Sequence, residues 1–123
     1  MRVVARGATT LLFLATGTLH FLRASTFVQT IPLWLPHPML LVIISGICEL
    51  AGAVGLLLPR TRTLAAWGLI ALLIAVFPAN LHMALHPAQF AAIATPAQLW
   101  WRLPIQPLLI LLVWYGALKP EVR

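Results

Sequence analysis

Four apolar runs, at roughly 3–24, 38–58, 64–86 and 100–118, take up most of this 123-residue chain. Each is close to the length of about 20 residues that an α-helix needs to cross the hydrocarbon core of a bilayer. Hydrocarbon offers no water to backbone N–H and C=O groups, so a run of this kind must satisfy them within itself as a helix. The expected fold is therefore all-α, a transmembrane four-helix bundle forming a single integral membrane domain over residues 1–123. Charge agrees with this reading: charged residues make up 8% of the chain, against about a quarter in a soluble domain. Only two residues are acidic, Glu49 and Glu121.

Four spans leave two segments of about a dozen residues, one tight turn and two short tails, too little for a separate soluble domain. No glycine-rich phosphate loop is present, which argues against an ATP-driven pump. The formal net charge of +6 does not imply nucleic acid as a partner, because the basic residues flank the apolar runs and form no continuous patch. Cys48 is the only cysteine, so an internal disulfide and a two-cysteine redox motif are both excluded. It is expected to be a small packing residue in the second span. The first run follows Arg2 and Arg6 like a signal peptide, but it is too long and ends at His20-Phe21-Leu22-Arg23 without a small-residue cleavage site. It is expected to be retained as the first helix.

Basic residues set the expected topology. Arg2, Arg6, Arg60, Arg62, Lys119 and Arg123 would share one side, leaving Arg23 and Arg102 on the other. The excess assigns both termini and the 59–63 turn to the cytoplasm, and the chain to the bacterial cytoplasmic (inner) membrane as a multi-pass protein in contact with the lipid bilayer. The outer segments 24–37 and 87–99 are proline-bounded and bulky, suited to lie in the interface or to close over the bundle as lids. Trp34, Trp100 and Trp101 fit an outer aromatic belt, and Trp67, Trp114 and Tyr115 an inner one. Gly68, Ala71, Ala75 and Ala79 fall on one stripe of the third helix, expected as a close packing face. Pro78 removes the donor for the Ile74 carbonyl and predicts a kink.

Ionisable and amide side chains within spans are costly in lipid, and each calls for a partner or a role. Glu49 lies mid-depth in Ser45-Gly46-Ile47-Cys48-Glu49-Leu50, either as a proton carrier or ligand-binding acid, or as one half of an interhelical hydrogen bond or ion pair. Arg102 and Gln106 stand one turn apart on the fourth helix, and an Arg102–Glu49 pair is expected. His20 and Asn80 lie in the same outer half. His20, Glu49, Asn80, Arg102 and Gln106 are thus the candidates for a polar pocket beneath the outer segments. His82 and His86 share a face but lack a nearby carboxylate or thiolate, so no metal site is expected.

Five segments in order resemble the DoxX-like family of small four-helix bacterial membrane proteins: Gly17-Thr18-Leu19-His20-Phe21, Ser45-Gly46-Ile47-Cys48-Glu49-Leu50, Leu58-Pro59-Arg60-Thr61-Arg62, Phe77-Pro78-Ala79-Asn80-Leu81-His82-Met83 and Arg102-Leu103-Pro104-Ile105-Gln106. The resemblance implies a four-helix bundle serving as a membrane subunit or accessory protein of a redox complex, with an oxidoreductase partner and quinone as a ligand. No intrinsic cofactor is expected, and catalysis by the isolated chain is not. The alternatives are a small proton-coupled carrier using Glu49, which would call for a homo-oligomer, and an assembly protein without a ligand.

Overall fold

The computed structural model describes residues 1–31 and 34–119; Pro32, Leu33 and the tail residues Glu121 and Arg123 invoked above lie outside them. Every regular element among the described residues is helical. Helix α1 spans Arg2–Leu22 and is followed after Arg23 by the short α2, Ala24–Val28; α3 spans Pro38–Leu57 and α4 Arg62–Leu85. A 3₁₀ turn covers Pro87–Phe90, and α5 runs over Pro96–Val113 and continues as a π-helical turn, Trp114–Leu118.

Helix α5 begins four residues before the expected run at 100–118, for a reason written in the sequence. Thr95 Oγ1 accepts from the Gln98 N–H at 3.3 Å, and the Thr95 N–H donates to Gln98 Oε1 at 2.9 Å. This reciprocal capping box satisfies two N-terminal donors, and Pro96 at the first helical position needs no donor partner. Segment 24–37, expected to lie in the interface or close over the bundle, begins with α2, which packs on α3 and α1.

The four long helices pack in cyclic order α1, α3, α4, α5, each against the next and α5 against α1. The α1–α3 contact is the most extensive and is set by two glycines. A Cβ at Gly17 would meet Leu50 Cγ at 3.0 Å and Glu49 Cβ at 3.2 Å, and one at Gly46 would meet His20 Cβ at 2.8 Å. Residue numbers run in opposite senses across this contact, so the two helices are antiparallel. Gly52 and Gly55 repeat the arrangement against α4, where a Cβ would meet Leu69 Cδ2 at 2.6 Å and Ala65 Cβ at 2.7 Å. Small residues let helices approach closely, and close approach with van der Waals contact drives helix association where lipid removes the hydrophobic term.

Two apolar clusters fill the interior. Phe13, Ala53, Leu56, Ala66, Leu69, Ile70, Leu73 and Val113 form the one toward the termini. Met83, Ala84, Phe90, Ala94 and Leu99 form the other, where the 87–95 segment closes back on α4 and α5. The outside is apolar as well: Leu11, Ile44, Val54, Ile74, Leu108 and Leu111 are exposed. Helices α3, α4 and α5 with its π turn are long and apolar enough to cross a membrane. Helix α1 has the length, at 21 residues, but its hydropathy is diluted by Arg6, His20 and the threonines. Two of those hydroxyls are satisfied within the helix, Thr9 donating to the Ala5 carbonyl at 2.9 Å and Thr18 to the Leu14 carbonyl at 2.7 Å.

The stripe Gly68–Ala71–Ala75 faces outward, and a Cβ at Gly68 would meet nothing within 4 Å. The packed face of α4 is instead Ala66, Leu69, Ile70 and Leu73. Cys48 is likewise exposed on α3 and not packed inside.

At the end holding the termini, arginines bond helix carbonyls. Arg62 Nε donates to the Leu56 carbonyl at 3.0 Å, closing the C-terminus of α3, and Thr61 Oγ1 donates to that of Gly55 at 3.0 Å. Arg6 Nε donates to the Gly116 carbonyl at 3.0 Å, and Arg2 donates to those of Tyr115 and Lys119. The last carbonyls of a helix lack intrahelical donors and carry partial negative charge, so cations suit them. The π turn, closed by the Lys119 N–H on the Trp114 carbonyl at 2.8 Å, brings Gly116 against the backbone of Arg6.

Candidate functional site

At the opposite end the glycine crossing of α1 and α3 brings two candidates together. His20 Nδ1 lies 3.2 Å from Glu49 Oε2, and each side chain is only 13% exposed. The same Nδ1 is 2.7 Å from the Thr16 carbonyl oxygen. A carbonyl oxygen can only accept, so the 2.7 Å contact assigns the Nδ1 proton to a hydrogen bond with Thr16. Glu49 Oε2 has charge proximity to the imidazole but no hydrogen-bond donor among the described residues. Thr16, one turn before His20, also sets its hydroxyl beside this carboxylate.

Helix α2 covers the pair. Phe27 stacks on the His20 imidazole with centroids 4.2 Å apart and planes 18° from parallel. The pair thus stands beneath an aromatic cover, within the segment 24–37 read from sequence as a lid.

The other candidates are placed apart from this pair. Arg102 is exposed and pairs with no carboxylate among the described residues. The expected Arg102–Glu49 pair is therefore not formed: α3 and α5 lie diagonally across the cyclic order, and His20 occupies the neighbouring helix. Gln106 is 5% exposed and donates Nε2–H to the Leu73 carbonyl of α4 at 3.3 Å. Asn80 is half-buried on α4. Two surface concavities, of about 750 Å³ between α3 and α4 and about 420 Å³ between α4 and α5, contain none of His20, Glu49, Asn80 or Arg102; the second includes Gln106.

The His82 and His86 rings lie 4.4 Å apart, tilted by 31°, and Phe90 meets His82 edge-on at 6.0 Å. The His86 Nδ1–H donates to the His82 carbonyl at 3.0 Å. No group of three or more His, Cys, Asp or Glu side chains able to hold a metal occurs among the described residues. Sequence reasoning missed Gly17 and Gly46 as the residues that seat His20 against Glu49. Their signal was present, since each is a glycine within one turn of an ionisable residue inside an apolar run.

A family model described as a domain of unknown function, DUF8561, matches residues 9–117. No curated protein and no solved structure matches the chain.

Proposed function

The chain belongs to the DUF8561 family, and from that premise we propose that it is a four-span accessory subunit of a redox complex in the bacterial cytoplasmic membrane. Its termini and the Arg60–Arg62 turn face the cytoplasm, and its outer end carries a proton-handling site. The observation that carries the reading is the His20–Glu49 contact, 3.2 Å long and largely buried in a chain whose helices are otherwise nearly free of acid. An intramembrane carboxylate with a histidine partner suits the uptake or release of a proton, as quinone reduction and quinol oxidation require. The likeness to DoxX-like membrane proteins supports an oxidoreductase partner and a quinone ligand. Satisfaction of the Thr9 and Thr18 hydroxyls within α1 supports a fourth span.

Purification in mild detergent, with mass spectrometry of co-purifying proteins and small molecules, tests this reading. The expected result is a stoichiometric oxidoreductase partner and redox turnover only in its presence, with no visible chromophore on the isolated chain. Reporter fusions should place both termini in the cytoplasm; an external C-terminus defeats the assigned orientation. A second reading, a proton-coupled carrier, draws on the lack of a hydrogen-bond donor at Glu49 Oε2. Proton-dependent solute flux in vesicles containing the chain alone would favour it over the first.

A further inference from the structure

Gly52 and Gly55 bring α3 close to α4, where a Cβ at either would run into Leu69 or Ala65. Outside that contact the residues are small, Cys48 and Ala51 on α3 and Gly68 on α4, and a Cβ at Gly68 would meet nothing within 4 Å. The result is a trough of about 750 Å³ along the two helices. Val54 and Leu64, which line it, are exposed, so it opens sideways, toward lipid in an embedded chain.

The length of the trough and the chemistry at its end define the occupant. It runs from Leu58, the C-cap of α3, to Cys48, about 15 Å at 1.5 Å per residue. That is half of a hydrocarbon core of about 30 Å, the depth of one leaflet. A partner helix would continue past Cys48 through the whole core, whereas an acyl chain ends at the midplane. At the Leu58 end, Arg60 stands exposed between the lining residues Leu58 and Thr61, and it makes no hydrogen bond or ion pair among the described residues. It differs in this from Arg2, Arg6 and Arg62, which donate to helix carbonyls. Glu49 is the only acid among the described residues and faces His20 on the α1 side, so no carboxylate there compensates the turn. An apolar trough one leaflet deep that ends at such a cation is complementary to an anionic phospholipid, whose phosphate pairs with guanidinium.

We infer that the α3–α4 trough holds an acyl chain of a phospholipid whose anionic headgroup lies against Arg60. The inference requires membrane embedding but neither a redox partner nor proton exchange at His20, so it survives if the accessory-subunit reading fails.

The test takes the full chain in mild-detergent micelles carrying equal amounts of dioleoylphosphatidylglycerol and dioleoylphosphatidylcholine, and reads bound lipid by mass spectrometry of the intact protein. The two lipids share their acyl chains and differ in headgroup charge. One lipid should be retained per chain, with phosphatidylglycerol favoured about fivefold, the ratio expected of one arginine near an anionic headgroup. Arg60→Gln should erase the preference. Lys119→Gln, which removes a cation at the same end but from the turn that follows α5, should leave it. Gly68→Phe enters open space, so it should fill the trough and remove both lipids from a folded chain. No retained lipid, equal retention of the two, equal loss of preference in Arg60→Gln and Lys119→Gln, or retention unchanged by Gly68→Phe would each overturn the inference. So would a lipid-free dimer that Gly68→Phe breaks, because the trough would then seat a second copy of the chain.

Discussion

The two ends of the helix assembly solve the same problem, polar groups in an apolar molecule, in opposite ways. Toward the termini, cationic side chains are spent on backbone carbonyls: Arg62 on α3, and Arg2 and Arg6 on the turn that ends α5. Their polarity is spent on finishing helices, and the neighbouring core from Phe13 to Val113 is apolar apart from the buried hydroxyls of Thr9 and Thr10. At the other end, side chains face side chains, His20 against Glu49 under Phe27, and the carboxylate keeps an oxygen without a donor. A saturated end is a structural anchor, whereas an end with unused acceptors retains capacity for chemistry.

Breaking the pair from either side should give the largest and least symmetric effect. His20→Leu leaves Glu49 buried without its partner and should cost about 3 kcal/mol, the low end for a broken buried pair. Glu49→Leu leaves His20 bonded to the Thr16 carbonyl and should cost about 1 kcal/mol. Glu49→Gln should be tolerated in stability while abolishing proton exchange. Unfolding in mixed micelles checks the order, and equal costs for the two leucine variants would remove the distinction between a partner with its own hydrogen bond and a dependent one.

Next in size is the crossing that seats the pair. Gly46→Val places methyl groups where a Cβ already comes within 2.8 Å of His20, and should cost about 1–3 kcal/mol by overpacking. Gly68→Val enters open space and should stay within about 0.5 kcal/mol. If the two glycines prove equally sensitive, Gly68 has a contact beyond the single chain.

The saturated end should respond more weakly. Arg62→Met removes the donor to the Leu56 carbonyl and should cost about 1 kcal/mol, whereas Arg60→Met, from an exposed site, should be near neutral in the same unfolding assay. Smallest is a gain: His37 precedes α3 with φ 51°, ψ 59°, a left-handed conformation that costs a side chain roughly 1–2 kcal/mol. His37→Gly should stabilise by about 0.5–1 kcal/mol, the remainder after glycine's own entropy cost.

Some of this was legible from composition and spacing. Run lengths and the near absence of acid predict long helices, and α3 and α4 fall almost where the apolar runs do. The Thr95-x-x-Gln98 box with Pro96 was readable too, and would have placed the start of α5 correctly. Glu49 had to find a partner, because lipid admits no lone carboxylate cheaply.

Which partner it found was decided by the packing. In water, the alternation of polar and apolar residues marks the buried face of a helix. Among helices whose outer surface is itself apolar, inward and outward faces look alike in sequence, so Gly68–Ala71–Ala75 read as a packing stripe and turned outward. Cyclic order put α1 beside α3 and α5 across the diagonal, giving Glu49 to His20 and leaving Arg102 exposed. The residues alone determined that the acid needed company; the close approach permitted by Gly17 and Gly46 chose it.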